Sequence, residues 1–233
     1  LASKPWLALD GGGDVSTSLK LTEGRVVPGS TLDVPHVALR AGVLDNVFAG
    51  DARAHAEVLG ASEAAHIATT LEVERFTLAP KDESTQVYLR GRNLKVTTQS
   101  AADLTRQHET LDAHLRFMDA EVPDLRAYNH YLPGKSLAFL AGSGTLDSDL
   151  HVDGRGDISN GKLRMRSKDA RLALGVSRLT GQIDMDTHVA RAQRDGGRTF
   201  DRDEVSRGLD WGRVEGSRDP PWWGRVTISQ GQR

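Results

Sequence analysis

A period-two alternation of apolar and polar residues runs through most of this sequence and constrains its fold more than any other feature. In residues 145–153, even positions carry Leu, Ser or Val, and odd positions carry Asp, His or Thr. Because successive side chains of a strand point to opposite faces, this pattern predicts a half-buried strand with one apolar and one wet face. The same alternation recurs in residues 37–43, 67–73, 111–117, 172–176 and 179–185.

Turn-forming residues separate these segments. Gly, Asn, Asp and Pro cluster in residues 10–14, 27–31, 153–162 and 194–198, and such clusters favour tight connections between antiparallel strands. A parallel sheet would need regular crossover helices, whereas the one good helical stretch is 123–133, with Asp124 as its cap, and 101–109 is a weaker one. We therefore predict a single all-β domain over residues 1–233, built as an extended, curled antiparallel sheet with one or two short helices. A subdivision near 119–135, and a β-sandwich or barrel, are the alternatives.

Composition excludes several classes of function. The chain has 233 residues, a formal net charge of −2 and no cysteine. The near-neutral charge provides no basic field for nucleic acid, and the lack of cysteine excludes disulfides, thiolate metal sites and cysteine nucleophiles. No run approaches the roughly 18 apolar residues of a membrane span. We expect the chain to be the soluble section of a longer protein.

The apolar face of such a sheet has to be covered. About a dozen strands at ~4.8 Å spacing make a sheet of about 55 Å, whose apolar side is removed from water by a second sheet, by curling, or by a bound apolar ligand. A sheet that curls without closing leaves a groove that needs an occupant. The parity predicts ten groove-lining residues: Leu115, Phe117, Leu146, Leu150, Val152, Leu172, Leu174, Val176, Ile183 and Met185.

Two similar stretches, "GTLDSDLHVD" at 144–153 and "GQIDMDTHVA" at 181–190, raise the question of a metal site. They are 181 − 144 = 37 residues apart. Within each stretch, the Asp and His residues alternate with the apolar ones and so share one face of a strand. Carboxylates and imidazoles suit several divalent metals, but side chains two residues apart on one strand are separated by almost ~7 Å. We predict a charged outer face, no metal and no cofactor. The chain also lacks the common nucleophile, zinc-protease and phosphate-loop motifs, so we predict that it is not an enzyme.

The string "RDPPWWGRV" at 218–226 is the most unusual local sequence. Two prolines disfavour a central strand, and the adjacent Trp222 and Trp223 follow directly. We interpret the segment as an edge or end cap of the apolar face. Contact with a partner or a membrane interface, and stacking on carbohydrate, are the alternatives for the two tryptophans.

Residues 132–189 resemble AsmA and TamB-type proteins of Gram-negative envelopes. The resemblance lies in a short helix, the Gly-rich "LAGSG", an acidic alternating strand, "NGKLRMRSKDARLALG", and "LTG" opening a second acidic strand. It implies a periplasmic groove protein, anchored in the inner membrane outside this section, that holds or conducts phospholipid between envelope membranes without catalysis. The implied partners are phospholipid acyl chains and inner- or outer-membrane envelope proteins, and the implied role is outer-membrane maintenance. A structural or interaction sandwich and a secreted β-solenoid that binds or acts on polysaccharide are the alternatives.

Overall fold

Strands make up almost all of the regular structure. The computed structural model describes residues 9–10, 14–22, 25–43, 46–61, 65–81, 86–103, 110–131, 137–154, 158–189, 191–192, 200–201, 204–214 and 222–228. Its strands are β1 (Leu9–Asp10), β2 (Ser16–Ser18), β3 (Leu21–Thr22), β4 (Arg25–Val26), β5 (Thr31–Val43), β6 (Asn46–Leu59), β7 (His66–Pro80), β8 (Leu89–Ala101), β9 (Asp112–Val122), β10 (Leu137–Ala141), β11 (Gly144–Asp153), β12 (Ile158–Leu174), β13 (Ser177–Val189), β14 (Arg191–Ala192), β15 (Phe200–Asp201), β16 (Glu204–Val214) and β17 (Trp222–Ile228). A 3-10 helix, Leu125–Tyr131, lies between β9 and β10.

The main sheet has 15 strands in the order β1-β5-β6-β7-β8-β9-β11-β12-β13-β16-β17, with four short strands paired off this path. Every strand pair in the described residues is antiparallel. The order is linear and does not close into a barrel, so the predicted open antiparallel sheet is confirmed. The described residues contain one further sheet, the two-stranded β3–β4 pair, and none of their strand pairs has the parallel arrangement of a β-solenoid. Because β9 pairs with β11, the sheet runs without interruption past residues 119–135.

The apolar side of the sheet is concave. Val73 is fully buried and Met165 is 4% exposed, although the helix that packs against this core has only seven residues. The rings of Phe76 on β7 and Phe117 on β9 are 5.2 Å apart, while strands two apart in a flat sheet are separated by about 10 Å. The Phe76 ring lies over Gly91 of β8, where an absent side chain leaves room for it. The sheet therefore buries its apolar side chains by curling around them.

Bulges contribute to the curvature. The register shifts once along β5/β6, β6/β7, β9/β11, β12/β13 and β13/β16. In β9 two residues, Met118 and Asp119, lie opposite the single residue Asp147 of β11, and Asp119 has a φ of 52°. Asp tolerates this left-handed conformation better than most residues. Since a bulge bends its strand and increases the local twist, these shifts favour a curled sheet over a flat one.

The helix covers one margin of the concave side. Leu125 is completely buried, and its N–H donates to the Gly142 carbonyl at 2.9 Å. The Asn129 side chain donates to the Phe139 carbonyl at 2.9 Å and accepts from the Phe139 N–H at 2.7 Å, which ties the helix to β10. Asp124 accepts the Arg126 backbone N–H at 2.9 Å, as a capping residue should.

The two helical predictions therefore have different outcomes. A helix does form within 123–133, as a 3-10 helix of seven residues. In the weaker stretch, residues 104–109 lie outside the described residues, and Ala101 is the last residue of β8.

Candidate functional site: the concave apolar face

The concave face has a continuous row of aliphatic side chains that crosses five strands. Ala54, Leu71, Val96, Leu115 and Leu150 are register partners on β6, β7, β8, β9 and β11, and we call them the aliphatic row. All five are partly exposed. Because every neighbour in the row comes from an adjacent strand, the row runs across the sheet rather than along any one strand.

The two margins of this face differ. On the helix side of the aliphatic row, Val122, Phe139 and Leu172 join Leu125 in a buried cluster. On the other side, the next register row contains both polar and apolar side chains. Thr69 pairs with Thr98, and Thr98 pairs with Ala113. The concave face therefore changes from a closed apolar core at the helix margin to a partly exposed, more polar margin opposite.

The predicted groove residues are divided between these regions. Phe117 and Leu172 are buried in the core, at 9% and 7% exposure. Four more pack against that core while remaining partly exposed: Leu115, Leu146, Ile183 and Met185. Leu150 and Val152 lie on the same face and are partly exposed.

Leu174 and Val176 differ from the rest of the predicted set. Leu174 is the last residue of β12 and is 51% exposed. Val176 is fully exposed because it lies in the two-residue turn between β12 and β13, where Gly175 supplies the positive φ of 58°. The apolar alternation at 172–176 thus continues past the end of the strand, and Val176 does not line the concave face.

The two tryptophans begin β17, the last strand of the sheet order. This position agrees with the predicted edge. The side chains of Trp222 and Trp223 lie outside the described part of the structure, so their role stays a prediction.

Charged side chains cover the convex face in alternating signs. The two similar stretches, 144–153 and 181–190, contribute to β11 and β13, and β12 lies between them. Arg166 on β12 contacts Asp147 on β11 at 3.0 Å, and Arg164 contacts Asp184 on β13 at 3.0 Å through its Nε. The hydrogen bonds that Arg164 donates to the Asp184 carboxylate raise the pKa of Arg164. The repeats therefore form an acid-base-acid ladder, as the prediction of a charged outer face requires, rather than a shared metal site.

A different group of side chains on that face meets the distance requirement for a cation. His114, Asp149 and His151 each offer one ligand atom, and these atoms all lie within 4.8 Å of one another. Spacing along a single strand does not reveal the contribution of His114, which β9 places opposite His151. Only strand pairing brings these three side chains together.

Comparison with protein-family models, curated proteins and solved structures gives no match to this chain. Among the described residues, no helix is long and apolar enough to cross a bilayer. Function therefore has to be inferred from the geometry of the chain itself.

Proposed function

We propose that the concave face holds phospholipid acyl chains, as one section of a conduit between membranes. The observation that carries this proposal is the partly exposed aliphatic row on a concave surface, backed by a charged convex surface. Large contiguous apolar surfaces on proteins commonly mark binding sites. The resemblance of residues 132–189 to AsmA and TamB-type proteins supports the same proposal.

The dimensions of the row suit an acyl chain. From Ala54 on β6 to Leu150 on β11 there are four strand spacings, or about 19 Å. An acyl chain reaches across half of a bilayer core, ~15 Å. One chain can therefore lie along the row with its whole length against aliphatic side chains.

The energetics of lipid transfer explain why such a surface is useful. Each methylene that leaves an apolar environment costs ~0.8 kcal/mol, so exposing a sixteen-carbon chain to water costs about 13 kcal/mol. A continuous apolar row removes most of this penalty at every point along the path. The row contains no aromatic ring, and flexible aliphatic side chains adapt to disordered acyl chains.

The unequal margins give the lipid an orientation. The helix and Leu125 cover one margin, whereas the opposite margin carries the hydroxyls of Thr69 and Thr98 and is partly exposed. We place the acyl chain on the aliphatic row and the headgroup beyond the threonine margin, in water. This arrangement leaves the phosphate hydrated while the tail is covered.

We propose the cellular context from the same resemblance. The chain would be a periplasmic section of a longer protein that is anchored in the inner membrane and meets other envelope proteins. It would act without catalysis and without a cofactor, and would contribute to outer-membrane maintenance.

Native mass spectrometry tests the proposal directly. The chain is expressed in Gram-negative cells, purified in mild detergent, exchanged into volatile buffer and examined for bound phospholipid. We expect wild-type protein to retain phospholipid, and Leu115→Asp and Leu150→Asp to lose at least about 90% of it, because a carboxylate in the row must stay hydrated.

Leu140→Asp is the matched control. Leu140 is 37% exposed on β10 and is not part of the core that includes its neighbour Phe139. The same substitution there should leave lipid retention unchanged. Wild-type protein without phospholipid under these conditions, or equal loss in the control, would contradict the proposal.

A further inference from the structure

The convex face carries a pair of stacked imidazoles beside a carboxylate. His114 on β9 and His151 on β11 are register partners, and their rings are parallel within 5° with centroids 4.4 Å apart. The Nε2 of His114 contacts Asp149 Oδ1 at 2.7 Å. Asp112 lies further out, with its Oδ1 3.9 Å from His151 Nδ1.

We propose that His114, His151 and Asp149 form a binding site for a divalent transition-metal ion such as Zn²⁺. Their three ligand atoms lie within 4.8 Å of one another, and two ligands of a tetrahedral zinc ion are about 3.3 Å apart. Closing the site requires shifts of about 1.5 Å or less. The side chains are 36%, 37% and 47% exposed, so rotation about their own bonds supplies these shifts without disturbing the core.

The ligand set selects the class of metal. Two of the three ligands are imidazole nitrogens, which suit zinc, copper and nickel, whereas calcium and magnesium require oxygen ligands. Asp112 is placed to serve as a fourth ligand or to orient His151.

Neighbouring charges moderate the affinity. Asp149 has Arg116 as its register partner on β9 and Lys162 on β12, and both repel a cation. Thr97 and Asn160, the outer register partners of the two histidines, are neutral. This balance favours an ion that forms strong bonds to imidazole over one held mainly by net negative charge.

A bound ion would connect two strands directly behind the groove. His114 and His151 adjoin Leu115 and Leu150, which are themselves register partners in the aliphatic row on the opposite face. The ion would therefore clamp β9 to β11 at the point where the row crosses them.

Calorimetric titration of the metal-free, tag-free chain with ZnCl₂ tests the site. We expect one equivalent of Zn²⁺ to bind with saturation. His151→Gln and His114→Gln should each weaken binding at least about 10-fold, because loss of a ligand should cost no less than loss of a supporting contact. Asp149→Asn should weaken it in the same direction.

The same row of the sheet supplies a matched control. His55 Nδ1 contacts Asp33 Oδ1 at 2.6 Å, yet no second imidazole joins that pair among the described residues. His55→Gln should leave the zinc affinity unchanged. Circular dichroism without metal checks that each variant folds, and zinc should raise the Tm of the wild type more than that of His151→Gln.

Three results would overturn the proposal. They are no saturable zinc binding by the wild type, unchanged affinity in both His114→Gln and His151→Gln, or an equal loss in His55→Gln. If one histidine variant fails to fold, the other variant and the wild-type titration still decide.

Discussion

Gly91→Ala offers a direct test of how the sheet buries its aromatic core. A Cβ added at Gly91 would overlap three carbons of the Phe76 ring, Cζ, Cε1 and Cε2, the most distant of them at 3.0 Å. That ring is 4% exposed and lies between Phe48 and Phe117, at centroid distances of 5.6 Å and 5.2 Å. The ring therefore cannot move aside without disturbing its contacts with these two rings.

The expected magnitude combines two opposing effects. Overpacking of a well-filled core costs about 1–3 kcal/mol. Replacing Gly by Ala within a strand contributes about 0.5–1 kcal/mol in favour of folding. The net destabilisation should be about 1 kcal/mol.

Shortening the phenylalanine should remove the penalty. Leu in place of Phe76 has no atoms at the Cε and Cζ positions, so in a Phe76→Leu background the change Gly91→Ala should stabilise the fold by about 0.5–1 kcal/mol. The double-mutant cycle then has a coupling energy of about 2 kcal/mol.

Urea unfolding at 25 °C, followed by circular dichroism on the four proteins of the cycle, measures this coupling. A coupling energy below about 0.5 kcal/mol, with Gly91→Ala neutral on its own, would refute the inference that the Phe76 ring occupies the space over Gly91.

Three further predictions concern the helix margin and the convex face. Leu125→Ala should lower the free energy of unfolding by about 2–5 kcal/mol, because the side chain is completely buried; a loss below about 1 kcal/mol in urea unfolding would contradict that packing. Asn129→Ala should cost about 1–3 kcal/mol, since it leaves both polar groups of Phe139 without their partner, and hydrogen exchange at the Phe139 amide should accelerate. Hydrogen bonding to His114 lowers the pKa of Asp149, so its contribution to stability should be present above about pH 4 and be lost as the pH falls further. A carboxyl NMR titration should show the lowered pKa in the wild type and a return toward the ordinary value in His114→Gln.

The sequence predicted which face of the sheet each side chain occupies better than it predicted where strands end and which strands pair. Side-chain alternation depends only on strand geometry, so the apolar parity of Leu146 and Leu150 and the outward parity of Asp147 follow from local sequence. Where a strand ends is a weaker inference, because Leu174 and Val176 continue the pattern while Gly175 turns the chain. The alternation alone could not distinguish a strand that continues through residue 176 from one that ends at Leu174.

The cluster of His114, Asp149 and His151 shows why strand pairing limits what a sequence reveals. Asp149 and His151 are two residues apart on β11, and the third side chain, His114, comes from β9, 35 residues away from Asp149. A bulge with one extra residue at Met118 and Asp119 shifts the register between these strands. No alternation pattern predicts that shift, so the pairing of His114 with His151 had to come from the structure.

The linear strand order has a consequence for how such a molecule can change in length. A closed barrel ties its diameter to a fixed number of strands and a fixed stagger, whereas this sheet has no such closure condition. Each long strand from β5 to β9 pairs with the next one along the chain, so duplication of one hairpin would lengthen the concave surface by about 10 Å and leave the existing contacts in place. Growth by duplication is therefore an accessible evolutionary route, and a designer could use the same increment to set the span of the surface.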